Sequence, residues 1–231
     1  MSRNYPKGYL SVTELISKHY TGGSKFNMDI PAIRYATHGG SITHKLIEEY
    51  CQDGMLLTTV EKVVKGMEKE EKYKEELQAY GGYFENGSIA RAKECFSVFI
   101  KLAESGKLPF NLNQLTNEVK YVDDECKVGG TIDGIIQIGN EPKDDGTTVY
   151  LLDWKTGKQI SEENILQGAG YAWLAKKVAK LDVKKYYIVQ LNPAENGVYE
   201  VDIDAVMPVW EKLVAIHNAR KDVKNALTKN V

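Results

Sequence analysis

After Pro109 the hydrophobic period of the chain changes from helical to extended, and that switch limits the folds open to it. Upstream, Ser11-Val12-Thr13-Glu14 is a capping-box sequence that starts a short helix running to about His19, stopped by Gly22-Gly23-Ser24. A second helix is expected from near Ser41, with Ile42, Leu46, Ile47 and Tyr50 on one face, ending before Asp53-Gly54. Thr58 to Tyr80 reads as a charged helix, and Ile89 to Ser105 as a longer one closed by Gly106 at the expected C' position. Downstream, Gln114 to Val122, Lys127 to Ile138 and Thr148 to Trp154 are rich in β-branched and apolar residues and read as three consecutive strands. Clusters at Asp123-Asp124-Glu125 and Gly139 to Gly146 fit their connections. Ser161 can cap a helix carrying Ile165, Leu166, Ala169, Ala172, Trp173 and Ala175. Strands Lys185 to Leu191 and Gly197 to Val201 follow, then a helix from about Asp204 to Leu227. The expected fold is α/β (α+β): a mixed central sheet with flanking helices and a helical N-terminal half.

A length of 231 residues suits one domain with its own core, and 1–231 is read as such, with a helical portion at about 10–106 and an αβββαβ core at about 110–227. The formal charge of -2 gives no global attraction to polyanions, so any nucleic-acid contact must be a local patch. The first residues lack the apolar core of a signal peptide, and no stretch approaches the roughly 18 apolar residues of a membrane span. A soluble, cytoplasmic protein with no membrane partner is therefore expected, in the host cytoplasm if the source is a phage. Cys51, Cys95 and Cys126 are odd in number and far apart, which reads as reduced thiols rather than a disulfide scaffold or zinc ribbon.

The chemistry concentrates in Val149-Tyr150-Leu151-Leu152-Asp153-Trp154-Lys155, where an acid and a lysine two residues apart close an apolar strand. Side chains alternate faces along a strand, so Asp153 and Lys155 share a side while Trp154 points away. Asp133 lies in the middle of the preceding apolar run, Gly130-Thr131-Ile132-Asp133-Gly134-Ile135. Two carboxylates and a lysine converging on one point would suit metal-assisted phosphodiester hydrolysis. Carboxylate oxygens are hard ligands for Mg²⁺, a bound cation acidifies water and offsets charge on the phosphate, and a second ion can steady the leaving oxygen. Lys155 would then either stabilise charge on the scissile phosphate or hold the attacking water near its deprotonated form.

Taken together, these segments resemble a RecB-like nuclease of the PD-(D/E)xK superfamily, over Gly40 to about Tyr171. Gly40-Ser41-Ile42-Thr43-His44 resembles the family's G-x-x-x-H helix motif, whose histidine ligates metal. Glu118, fifteen residues before Asp133, resembles the acid of the first core strand. Asp133 and Asp153-Trp154-Lys155 resemble the two central motifs, and Gln167-Gly168-Ala169-Gly170-Tyr171 the Q-x-x-x-Y motif that positions substrate and lysine. Within the family the chain is most similar to compact single-domain exonucleases of the mitochondrial genome maintenance type and their phage relatives.

The resemblance implies a restriction-endonuclease-like core with Lys155, Asp153, Asp133, Glu118, Gln167 and Tyr171 as catalytic residues. His44, Asp133, Asp153 and the backbone carbonyl of Trp154 would be ligands for Mg²⁺ or Mn²⁺. With only three cysteines, none clustered, no iron–sulfur cluster is expected. The implied function is a DNA exonuclease acting on single-stranded or free ends in repair, recombination or replication. No G-x-x-x-x-G-K-[ST] sequence occurs, so a helicase or recombination partner would supply any motor.

Rival readings stay open at this level. The same motifs serve structure-specific endonucleases, and a non-catalytic nucleic-acid-binding subunit could keep the fold. Glu118 could simply pair with Lys120 on its own strand face. Lys158 could touch phosphate or be an ordinary surface lysine. The charged helix from Glu61 to Glu76 mixes both signs and reads as a solvated face rather than a DNA track.

Overall fold

The computed structural model describes residues 5–23, 27–53, 59–138 and 147–225. Its strands are β1 (Leu10–Ser11), β2 (Leu115–Asp123), β3 (Val128–Gln137), β4 (Thr148–Lys155), β5 (Asp182–Leu191) and β6 (Asn196–Val201). Its helices are α1 (Val12–Ile16), α2 (Pro31–Asp53), α3 (Val60–Met67), α4 (Glu71–Gln78), α5 (Asn86–Glu104), α6 (Glu162–Ala179) and α7 (Ile203–Asn225). This is the expected mixed α/β architecture.

β3 organises the sheet. β2 runs antiparallel along one of its edges, while β1 and β4 share the other. β1 pairs in parallel with the start of β3, Leu10 opposite Val128, and β4 pairs antiparallel with its end, from Gln137 opposite Val149 to Gly134 opposite Leu152. Beyond Gly134 and Leu152 the two strands part. β4 stays in register with parallel β5 through Lys155 opposite Gln190, with α6 as the crossover, and β6 closes the far edge antiparallel to β5.

Alternating side chains send the central strands into two cores, one on each face. Leu151, Tyr186 and Ile188 pack with α1, α6 and α7. Leu152, Trp154, Tyr187 and Val189 pack with α2, α3 and α5. Phe99 of α5 meets the Trp154 ring edge-on at a centroid distance of 5.6 Å.

The alternation inverts once, at Glu118 and Asp133. Leu115 and Ile136 join the α2–α5 core, yet Val119 and Ile132, at the same strand parity, join the opposite one. At the inversion Glu118 has a left-handed φ of 52°, and the ladder passes from Asn117 opposite Gly134 to Val119 opposite Ile132 with no pair between. A non-glycine residue with such a φ carries strain of order 1–3 kcal/mol, which persists where surrounding structure enforces it.

Several boundaries differ from the sequence expectation. α2 begins at Pro31, ten residues before Ser41, and carries Gly39-Gly40 in its interior; Pro31 suits a first turn, which needs no N–H. The charged segment forms two helices rather than one, broken at Glu68 to Glu70, where Glu68 Oε1 accepts the Phe84 N–H at 3.0 Å. The break lets Tyr73 and Leu77 of α4 and Val63, Val64 and Met67 of α3 reach one core. α5 starts at Asn86, three residues before Ile89, and the two-residue β1 was not anticipated. The Ser11 capping box forms as expected, and α1 ends in a wider turn at Ser17–Thr21 before Gly22. The expected starts and ends at Thr58 and Leu227 and the connection at Gly139 to Gly146 lie outside the described residues. No helix among the described residues is long and apolar enough to cross a membrane.

α6 approaches the sheet closely at Gly168, where a Cβ would lie 2.2 Å from the Tyr186 ring, whereas one on Gly66 of α3 would meet nothing within 4 Å. Gly168→Ala is expected to cost about 1–3 kcal/mol through overpacking, and Gly66→Ala to add up to about 1 kcal/mol by restricting the unfolded chain. Urea unfolding of both variants checks this; equal effects at the two positions would contradict it.

Candidate active site

The parting of β3 and β4 opens a cleft of about 620 Å³ whose floor holds Asp133, Asp153 and Lys155. One wall is the middle of α2, bringing His44, and the other side brings Glu118 from β2 and Gln167 and Tyr171 from α6. All of the residues expected from sequence therefore meet at one place.

Trp154 is the fixed point. Its indole is buried in the α2–α5 core, while both of its backbone polar groups face the site. Asp133 Oδ2 accepts the Trp154 N–H at 2.9 Å, and His44 Nε2 lies 2.8 Å from the Trp154 carbonyl oxygen. A carbonyl only accepts, so Nε2 carries the proton and donates it. His44 Nδ1 then faces Asp133 Oδ2, 3.5 Å away. Among the described residues, ligand atoms of His44, Glu118 and Asp133 all lie within 4.8 Å of one another.

Asp153 sits below this group, 1 % exposed. The Lys155 ammonium is 2.5 Å from its Oδ2 and is the cation that offsets this burial. Lys155 Nζ also donates to Gln167 Oε1 at 2.9 Å, and Gln167 Nε2 donates to the Tyr171 hydroxyl at 2.6 Å. The i, i+4 spacing of Gln167 and Tyr171 on α6 makes that relay. Lys155 is thus held from two sides.

Burial pushes the Asp153 carboxyl up to about 6, with Lys155 opposing the shift and the Asp133 charge adding to it. Glu118 is raised as well, by the cleft walls that displace water around it and then by Asp133, even though its side chain remains solvent-accessible. Asp133, Asp153 and Glu118 gather three carboxylates with His44 and Lys155, and Lys45, Lys72 and Lys120 also line the cleft. Hard carboxylate oxygens gathered with one imidazole fit a divalent cation.

The cleft also contains residues that sequence reasoning missed. Lys72 and Tyr73 of α4 line it, although that segment had read as a solvated face, and the Lys72 ammonium lies 4.8 Å from the Tyr73 ring centre. Lys120, weighed only as a partner for Glu118, also lines it and stands 4.7 Å over the Tyr5 ring. Thr131 and Thr156 add hydroxyls. A lysine preceding an apolar tyrosine was the available signal at α4, but without the helix break its direction could not be read. Lys158 is not among the cleft-lining residues; its carbonyl accepts from Gln190 at 2.8 Å. The expected Trp154 carbonyl is engaged by His44.

The family model of the PD-(D/E)XK nuclease superfamily matches residues 24–229. No curated protein matches the sequence. Among solved structures, the crystal structure of SSO0001 is similar over 76% of this chain and 86% of its own, at 15% sequence identity and a TM-score of 0.31.

A carboxyl whose folded pKa is raised stabilises the fold below its unfolded pKa, near 3.8, and that contribution is lost as pH climbs through about 6. In chelator, Asp153→Asn should therefore gain stability relative to the unsubstituted chain as pH rises from about 4.5 to 7.5, and Mg²⁺ should narrow the gap at the upper pH. Thermal unfolding at both pH values tests this. A gap that ignores pH would show that Asp153 titrates normally.

Proposed function

Because residues 24–229 match its family model, the chain belongs to the PD-(D/E)XK nuclease superfamily, and from that premise we propose that it is a Mg²⁺- or Mn²⁺-dependent DNA exonuclease acting on single-stranded ends, in DNA repair, recombination or replication. The observation that carries this reading is the convergence of His44, Glu118 and Asp133 within 4.8 Å beside the Asp153–Lys155–Gln167–Tyr171 relay. In this reading residues 1–231 work as one nuclease domain, the helical portion supplying a cleft wall to the sheet.

His44, Asp133 and Asp153 would hold the cation as the sequence implied, and Glu118, whose carboxylate lies within 4.8 Å of the His44 and Asp133 ligand atoms, would join them. When bound, the cation offsets charge on the phosphoryl oxygens and makes water a stronger nucleophile. His44 donates Nε2–H to the Trp154 carbonyl and so keeps its Nδ1 lone pair on the side of Asp133. Lys155 directs two of its donors at Asp153 and Gln167, which leaves a third for a non-bridging oxygen of the scissile phosphate. The water oxygen bonds to phosphorus as the ester P–O bond breaks; one of the water's protons ends on the leaving oxygen, which departs as a hydroxyl, and the other stays with the new phosphate monoester or passes to solvent. Gln167 and Tyr171 fix the lysine, whose flexible stem would otherwise sample other rotamers.

A cleft of about 620 Å³ lies in the range that encloses one small ligand, which suits a short length of unpaired strand. Lys72 and Lys120, both lining the cleft, would meet backbone phosphates beside the scissile one.

End-labelled linear single-stranded DNA with Mg²⁺ should shorten progressively, and chelator should stop it. Lys155→Ala should lower kcat about 10²–10³-fold, as for loss of one preorganised donor, and Asp153→Ala should be inactive. Full activity in Asp153→Ala would sink the site assignment. Cutting of closed single-stranded circles would replace the exonuclease by an endonuclease.

A further inference from the structure

Two adjacent glycines in a helix interior cost about 1 kcal/mol each relative to alanine, and Gly39-Gly40 stands in the middle of α2. Each position faces a specific neighbour. A Cβ on Gly39 would lie 2.8 Å from Arg91 Cγ, 2.9 Å from its Cβ and 3.1 Å from the Ser88 carbonyl oxygen; one on Gly40 would lie 3.1 Å from Thr156 Oγ1. The α5 residue Arg91 crosses α2 over this gap and donates from Nη2 to the Thr156 carbonyl at 2.6 Å. Thr156 is the first residue beyond Lys155.

Two further buried donors grip the same turn. Asn192 Nδ2 lies 3.3 Å from the Thr156 carbonyl, and Gln190 Nε2 donates to the Gly157 and Lys158 carbonyls at 3.1 and 2.8 Å. Gln190 and Asn192 are each 1 % exposed. Three consecutive carbonyls are thereby turned onto side chains from α5 and from the end of β5. One helical turn further along α2, His44 meets the Trp154 carbonyl. Thus α2 touches the end of β4 at two places, Gly40 against Thr156 and His44 against Trp154.

We propose that Arg91 is a positioning residue for phosphodiester hydrolysis: through the Thr156 carbonyl it holds the end of β4 against α2, fixing Lys155 and the Trp154 backbone relative to His44. The inference rests on the nuclease reading for its catalytic consequence, but the placement it describes does not. Arg91 is not among the cleft-lining residues, so it acts without touching substrate. The glycine pair is the space that the Arg91 aliphatic stem and Thr156 require. Loosening the clamp lets Lys155 and Trp154 drift by a fraction of an ångström, and misplacement by about 1 Å in an active site can cost 10²-fold in rate.

Arg91→Met and Arg91→Lys, compared with Gly39→Ala, test the proposal in two assays. Gly39→Ala keeps the arginine but displaces its stem, so it reaches the same prediction by a separate route and covers the case in which Arg91→Met fails to fold. On linear single-stranded DNA, Arg91→Met and Gly39→Ala should lose about 10–100-fold in kcat with KM changed less than about threefold, and Arg91→Lys should lie between them and the unsubstituted protein. In the second assay, the His44 imidazole Nε2–H, seen by ¹⁵N NMR as a slowly exchanging proton, should be lost in Arg91→Met and Gly39→Ala. Unchanged kcat, or a rise in KM alone, overturns the proposal, as does a retained Nε2–H signal. An unsubstituted chain that cleaves no nucleic acid sinks the nuclease reading instead, and the NMR comparison then decides the placement alone.

Discussion

The site depends on the separation of two strands. β3 and β4 share a ladder only as far as Gly134 and Leu152, and the residues that follow, Asp133 on one strand and Asp153 on the other, occupy the wedge. A continued ladder would bury Asp133 and Asp153 directly opposite one another, where like charges are destabilising. Separation solves this by giving each carboxylate a different partner. Asp133 takes the Trp154 N–H that the ladder no longer uses, and Asp153 takes Lys155. Trp154 can serve this way because its ring is locked in the opposite core against Phe99.

The same wedge explains the strain in β2. Glu118 adopts φ 52° where the facing alternation of β2 and β3 inverts, and the inversion brings its carboxylate into the group with His44 and Asp133. Regular strands would have sent Glu118 and Asp133 toward whichever core their parity dictated. The cost is one strained residue and a gathering of acids whose charges oppose folding at neutral pH, visible in the upward shifts of Asp153 and Glu118. Such local instability is the common price of a site that must bind a cation and a phosphate.

Much of the candidate site was legible because its parts announce themselves locally. The Leu151-Leu152-Asp153-Trp154-Lys155 pattern states which side chains share a face, and Gln167 and Tyr171 stand four apart on a helix whose cap, Ser161, is plain in the sequence. The helical half was less legible. The helix expected from near Ser41 starts at Pro31, and its Gly39-Gly40 pair, unfavourable by propensity, leaves the space that Arg91 and Thr156 fill. The segment around Lys72 reads as a uniform charged helix, yet packing of Tyr73 and Leu77 breaks it and turns Lys72 to the cleft.

Sequence by itself determined most element types, their succession along the chain and the identity of His44, Glu118, Asp133, Asp153 and Lys155 as candidate site residues, because hydrophobic period, caps and spacing are local properties of the chain. Tertiary structure alone decided which acids share a cation-sized space, that His44 is anchored on the Trp154 carbonyl, and that Lys72, Lys120 and Arg91 belong to the site's surroundings. The physical reason is that these depend on where β3 and β4 part and on how closely α2 and α5 cross. Both are settled by packing between residues far apart in the chain.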